Sequence, residues 1–368
     1  MKRTIPKAFA ALGLMALGGL AAHYMPAISQ GAGALFQAQA LPVNNAPELF
    51  LSSGFGDSYE PDDLTENVDI PPGSPYVQAN GEVHDPGPKP YPTSWDLSGG
   101  EIEKMSFGEY SGTKFFDLDT CGQVCNETDL DNDELLEESR EAPAFSLLPT
   151  TLPQVLIMHT HTTESFEPYE RDSFDDSFNY RTTDPDYNIC RVGDAITAQL
   201  ESAGIGVIHD TTIHDYPSYT GSYDRSRETV LDILDEHPSI KVVLDIHRDA
   251  IGGNGVLKQP TVRIDGKKAA QLMIISGCDD GTMDMPHYMD NFHFACALQQ
   301  QMEADYPGLT RPILFDYRHY NQDLTTGSLL IEVGTHGNTI EQVEYTGELL
   351  GKSLSRLLRS MTEGVHES

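Results

Sequence analysis

Basic residues and cysteines are both scarce in this sequence, and each scarcity removes a class of function. Only 23 Lys and Arg stand against 57 Asp and Glu, a formal net charge of -34. A chain of that sign has no basic face with which to displace counterions from a phosphate backbone, so nucleic acid is excluded as a partner. An electrostatic grip on anionic lipid is excluded for the same reason. The acid excess suits a polar, extracytoplasmic surface. Five cysteines scattered through 368 residues are too few for a disulfide scaffold, and their spacing offers no four-thiolate zinc site. Cys121 and Cys125 are close enough in sequence to pair, while Cys190, Cys278 and Cys296 read as buried apolar residues. The acidic cluster Asp129, Asp131, Asp133 and Glu134 lacks the central Gly and spaced Glu of an EF-hand loop, and reads as solvated surface.

What is present divides the chain. Lys2, Arg3 and Lys7 precede an apolar run over residues 8–25, the pattern of an export signal or membrane anchor, here residues 1–29. Membrane contact is expected through this segment only, with the remainder outside the cytoplasmic membrane. Residues 31–150 hold 23 acidic and 4 basic side chains, and so carry 19 of the 34 net negative charges. PPGSP (71–75) and DPGPKPYP (85–92) cannot continue a helix or a central strand. Residues 30–98 therefore read as a disordered, self-repelling acidic spacer. Residues 99–147 read as a partly ordered extension, with Phe115, Phe116, Leu130, Leu135 and Leu136 available to pack against the main domain.

That main domain is expected over residues 148–361. Apolar runs predict strands at 154–160, 206–209, 241–247, 261–264, 272–276 and 328–334. Between them, Val192, Ile196 and Leu200 repeat on one helical face until Gly204, and Phe292, Cys296, Gln299 and Met302 repeat before Pro307. Asn338 and Glu341 have capping-box spacing ahead of Val343, Leu350, Leu354, Leu357 and Leu358. Strands alternating with helices predict an α/β fold of three layers, a largely parallel sheet flanked by helices. In such sheets ligands sit at the carboxyl ends of the strands.

Those strand ends carry unusual residues. VLIMHTHTTESF (155–166) runs from a buried strand into His159 and His161, with Glu164 three residues later. Alternation points His159 and His161 the same way if the strand continues that far. Two imidazoles and a carboxylate are costly to enclose unless an ion satisfies them, and Zn2+ takes all three. A second strand ends in His247, Arg248 and Asp249, where Asp245 or Asp249 could orient the His247 ring. A third carries Glu332 between Ile331 and Val333, as a general base and acid or as a salt-bridge partner of Arg248. The candidate metal ligands are thus His159, His161, Glu164 and His247, and the candidate reacting groups Glu332 and Arg248. Arg248 would stabilise an oxyanion or bind a substrate carboxylate. His209, His214, His237, His287, His293, His319 and His336 read as surface or structural.

VLIMHTHTTESF, RVGDAI, YPSYTGSYDRSRETV, VVLDIHRDA, YNQDL and SLLIEVGTHGNT together resemble the stage II sporulation protein P family, over residues 112–359. The resemblance implies an exported cell-wall hydrolase of endospore-forming bacteria, with a fold related to the zinc N-acetylmuramoyl-L-alanine amidases. In those relatives one strand ends in a His ligand, another in Ser-Ile-His, and a late strand carries a catalytic Glu. The counterparts here are His161, His247 and Glu332. The relatives' second ligand, a Glu some fifteen residues after the first His, has Asn188 or the closer Glu164 in its place. The implied substrate is peptidoglycan, cut between muramic acid and L-alanine and also at peptide cross-links. The implied partner is a stage II sporulation protein D-like lytic transglycosylase, acting during engulfment of the forespore.

Overall fold

The computed structural model describes residues 87–362. The signal or anchor segment and residues 30–86 of the spacer lie outside the described residues. Among those described, no helix is long and apolar enough to cross a membrane.

The described residues form thirteen strands and five helices. In order they are β1 (Gly100–Met105), β2 (Phe115–Asp117), β3 (Gln123–Asn126), α1 (Asn132–Glu138), β4 (Pro153–Met158), β5 (Ser173–Phe174), α2 (Cys190–Ser202), β6 (Gly206–His209), α3 (Ser222–Glu236), β7 (Val242–Asp249), β8 (Gly252–Gly253), β9 (Val256–Ile264), β10 (Lys267–Ala270), β11 (Leu272–Gly277), α4 (Tyr288–Asp305), β12 (Ile313–Asp316), β13 (Ser328–Thr335) and α5 (Ile340–Ser360).

Eight strands form the main sheet in the order β2-β3-β12-β11-β13-β7-β4-β6. It is mixed: β11 runs antiparallel to β13, and β2 antiparallel to β3, while the other pairings are parallel. Strand alternation sorts the sheet's side chains to two faces. Val155, Ile157, Leu244, Ile246, Leu329, Ile331 and Val333 face one core, with α2, α4 and α5 supplying Ile196, Phe292, Met302 and Leu354. Leu156, Met158 and Val243 face the other, covered by Val230 of α3 with Ile233 and Leu234 beside it. Both faces are buried, which is why the central strands are apolar runs rather than alternating ones. The α/β, three-layer expectation is met, with antiparallel pairs inside it.

A second sheet, β10-β9-β1-β5 with β8 on β9, lies over a smaller cluster of Tyr91, Ile102, Phe174, Phe178, Tyr180 and Leu257. Residues 87–98 depart from the spacer expectation here. Tyr91 is buried among Trp95, Phe178 and Tyr187, and its hydroxyl donates to the Phe166 carbonyl at 2.6 Å. This aromatic packing outweighs the proline content that marked the stretch as loose. The extension is likewise integral: β3 pairs in parallel with β12, and β1 with β9.

Two local expectations are corrected. Cys121 and Cys125 are both free thiols, and Cys125 is buried on β3. The capping box of α5 is formed by Thr339 and Gln342, one residue later than predicted. Asn338 instead spans the turn, accepting from Thr335 N at 2.8 Å and donating to Pro260 O at 3.1 Å. The acidic cluster Asp129, Asp131, Asp133 and Glu134 is exposed as expected, and within it Asp131 is the N-cap of α1, accepting from Asp133 N and Glu134 N.

Candidate functional site

β4 ends at Met158, one residue before the first histidine, and this decides which imidazole faces the site. His159 turns into the sheet. Its Nδ1 lies 2.8 Å from Ile246 O and its Nε2 2.9 Å from His209 Nε2. Burial and the neighbouring His209 push its pKa down to about 3, so the ring is neutral. It does not share the face of His161, because the strand alternation that would have aligned them has already stopped. His209, read from sequence as lacking context, is its partner.

His161 lies on the turn beyond. Glu164 N donates to His161 O at 3.0 Å, which closes the turn and returns the carboxylate to the imidazole. His161 Nδ1 is 3.6 Å from Glu164 Oε1, and His247 Nδ1 is 3.6 Å from Glu164 Oε2. One donor atom from each of His161, Glu164 and His247 lies within 4.8 Å of the other two. Glu332 is the register partner of His247 on the neighbouring strand β13. Both point away from the core that holds Ile246 and Ile331.

The electrostatics of this cluster favour a cation. Burial alone would raise the Glu164 pKa, but Arg248, His161 and His247 hold it well below the usual carboxylate range. Arg248 N also donates to Glu164 Oε2 at 3.0 Å. Burial would lower His247, yet Asp245, Glu164 and Glu332 lift it to about 9. Its Nε2 lies 2.8 Å from Asp245 Oδ1, and Asp245 is fixed in turn by Thr160 N at 2.8 Å and Thr160 Oγ1 at 2.7 Å. A carboxylate behind the far nitrogen of an imidazole is the arrangement that orients a metal-binding His. His161 Nε2 is buried with no hydrogen-bond partner among the described residues. Two imidazoles and one ionised carboxylate therefore fit an ion such as Zn2+, with coordination positions left over.

Glu332 is different. Burial and the adjacent Asp249 push its pKa well up, and its Oε2 has no hydrogen-bond partner among the described residues. It is not paired with Arg248. The Arg248 guanidinium donates instead to the carbonyls of Ser165, Asp249 and Tyr180, at 3.1, 3.4 and 3.1 Å. Three of its five N–H groups are spent in this way, and Arg248 also lines the cavity. It pins the loop that carries Glu164. Asp249 does not orient His247; it pairs with the buried Arg311 at 2.6 Å. Asn188 lies just ahead of α2, its Oδ1 accepting from Cys190 N at 3.0 Å, and stands apart from the cluster, leaving Glu164 as the carboxylate there.

The cavity at the cluster is small, about 80 Å³, room for an ion and a few waters. Arg181, Tyr219, Tyr223 and Tyr320 complete its wall. Sequence reasoning missed all four, because they come from polar loops and a helix start without apolar period. The only signal was that YPSYTGSYDRSRETV and YNQDL stood out as motifs.

Such a constellation at the carboxyl ends of parallel strands defines an α/β protein whose buried His-Glu-His cluster is compatible with a metal ion. A family model described as stage II sporulation protein P matches residues 122–355, and the chain belongs to that family. It is 33% identical over 207 residues to stage II sporulation protein P of Bacillus subtilis (strain 168), an alignment covering 52% of this chain and 47% of that protein. The chain thus spans about half the length of the curated relative it matches. Among solved structures it is similar to N-acetylmuramoyl-L-alanine amidase AmiC2 of Nostoc punctiforme, at 11% identity and a TM-score of 0.33 over 56% of this chain and 96% of that one. It is also similar to the CwlD amidase from Clostridioides difficile in complex with the GerS lipoprotein, at 12% identity and a TM-score of 0.34 over 56% and 99%.

Proposed function

We propose that this protein is a zinc-dependent peptidoglycan hydrolase of sporulation, an N-acetylmuramoyl-L-alanine amidase that also opens peptide cross-links. The observation that carries the reading is the convergence of His161, Glu164 and His247 beside the unpartnered carboxyl of Glu332. His161, Glu164 and His247 would hold the ion, and Asp245 would keep the His247 ring turned towards it. Zinc, when bound, supplies Lewis-acid activation of a water and of the amide carbonyl. Glu332 takes the proton of the attacking water and returns it to the leaving amine. Arg248 holds the Glu164 loop in place. The acidic spacer tethers the domain outside the cytoplasmic membrane, within reach of the wall, and a partner that cuts denuded glycan completes the process.

The test is mass spectrometry of purified wall after digestion by the zinc-loaded protein. Free stem peptides mean an amidase, and shortened cross-links alone mean an endopeptidase. Intact wall, from protein shown to carry zinc, would leave an anchored scaffold as the surviving reading.

A further inference from the structure

Two arginines line the cavity, and they differ in what their heads are free to do. Arg248 is buried, and Nε, Nη1 and Nη2 each donate to a backbone carbonyl. Arg181 is partly exposed at the wall, with a side-chain exposure of 21%. It makes one hydrogen bond within the protein among the described residues, from Nη1 to Asp215 Oδ2 at 2.5 Å. Its Nη2 stands 3.6 Å from Glu164 Oε1, beyond hydrogen-bond reach. A guanidinium carries five N–H donors, so most of this fork is unspent. Its plane is nevertheless fixed. The guanidinium lies 4.6 Å over the Tyr219 ring, which also stacks on the His161 ring at 4.7 Å. Asp215, which anchors Nη1, is itself held by Thr163 N at 3.1 Å and Thr163 Oγ1 at 2.6 Å. A rigid, planar, partly solvated cation with spare parallel donors is what binds a carboxylate in two-pronged fashion.

We infer that Arg181 is a specificity-determining residue: it binds a free carboxylate of the substrate's peptide, close to the bond that is cut, and so favours unamidated stems. This rests on the peptidoglycan reading. The position follows from the 3.6 Å between Arg181 Nη2 and Glu164, which sets the recognised carboxylate next to the cluster rather than at a remote end of the stem. The other arginine lining the cavity, Arg248, has three of its five N–H donors committed to backbone carbonyls, against one in Arg181.

The experiment compares one synthetic muramoyl stem peptide in two forms, carboxyl groups free or converted to primary amides, with the zinc-loaded full chain and its Arg181→Gln and Arg181→Lys variants. The free acid should be preferred by the parent about 10- to 100-fold in kcat/KM, mainly through KM, the usual worth of a charge-assisted pair. Arg181→Gln should bring the two forms level, and Arg181→Lys should keep part of the preference. A parent that treats acid and amide alike would overturn the assignment. So would an Arg181→Gln variant that loses the same factor on both, because Arg181 would then act only through Glu164 and Asp215. Calorimetric binding of the two peptides reads the same preference without turnover. A parent without amidase activity would sink the peptidoglycan amidase reading, while the calorimetric preference would still decide for or against Arg181.

Discussion

The carboxyl of Glu332 is enclosed beside Asp249 and Glu164 with no donor for its Oε2 among the described residues, so its charge is costly and its proton easily kept. Glu332→Gln should therefore fold as well as the parent or better, because an amide removes the like-charge repulsion and keeps the shape. It should also keep its zinc, since Glu332 is outside the three-residue cluster, and yet lose activity by about 10²–10⁴-fold. Zinc content, thermal midpoint and turnover of one preparation decide it; a zinc-loaded variant with normal turnover would remove the proton-shuttle role. A second titration is readable in stability. His336 packs against Tyr180, and burial, then Arg248, push it down to about 3. Its folded pKa thus lies below the ordinary 6.5 of the unfolded chain. Below pH 6.5 the unfolded state takes a proton that the native state refuses. The contribution is complete above that pH and is lost as pH falls towards 3, at up to about 1.4 kcal/mol per pH unit. Denaturant midpoints measured across pH 7 to 4 should fall less steeply in His336→Gln than in the parent. Parallel curves would mean that His336 is already protonated in the fold.

The strands and the loops between them were unequally legible. β4, β6, β7, β11 and β13 were visible as short apolar runs, because burial on both faces leaves little room for polar residues. His161, Glu164, His247 and Glu332 were visible because acids and imidazoles are out of place at such strand ends. His159 misled for a reason no composition shows, the end of β4 two residues early. The hold that loop carbonyls take on Arg248 was not legible, because only tertiary structure brings them to it. Arg181 was invisible, a polar residue in an aperiodic loop, and Tyr219 was marked only by its place in the YPSYTGSYDRSRETV motif. Residues 87–98 were hidden by their prolines, and they make a testable difference. Lys89 O accepts from Thr182 Oγ1 at 2.7 Å and Thr183 N at 2.8 Å, Tyr216 donates to Gly87 O at 3.1 Å, and Trp95 lies 4.3 Å under the Arg171 guanidinium. This stretch thus ties together the loops that carry Arg181 and Tyr219. Deleting residues 1–86 should leave stability and activity unchanged. Deleting residues 1–98 should lower stability by about 3 kcal/mol or more, since the buried Tyr91 is lost along with several hydrogen bonds. Equal thermal midpoints for the two truncations would show that the strap contributes nothing.

A fold of this size does not depend on its metal in the way a zinc finger does. The two cores on either side of the main sheet hold aliphatic and aromatic side chains from every long helix, and none of those contacts involves the His161, Glu164, His247 cluster. Chelation should then leave the chain folded while lowering its stability, because an ion that binds only the native state adds RT ln(1 + [L]/Kd). At free zinc 100 times the dissociation constant this is about 2.7 kcal/mol, or about 5 °C in thermal midpoint for a domain of this length. The gain should be absent from His161→Ala and His247→Ala, each of which removes one of the three donors. Asp245→Asn should retain it at higher zinc, since that carboxylate acts through the His247 ring and its loss weakens binding by about 10- to 100-fold. His159→Ala is the discriminating control. Its imidazole contacts Ile246 O and His209 rather than the cluster, so the variant should be less stable with and without zinc but keep the zinc-dependent increment. Melting curves with chelator and with buffered zinc, run on these four variants beside the parent, read the increment directly. An increment lost in His159→Ala and kept in His161→Ala would move the metal to the other side of the turn and overturn the ligand set.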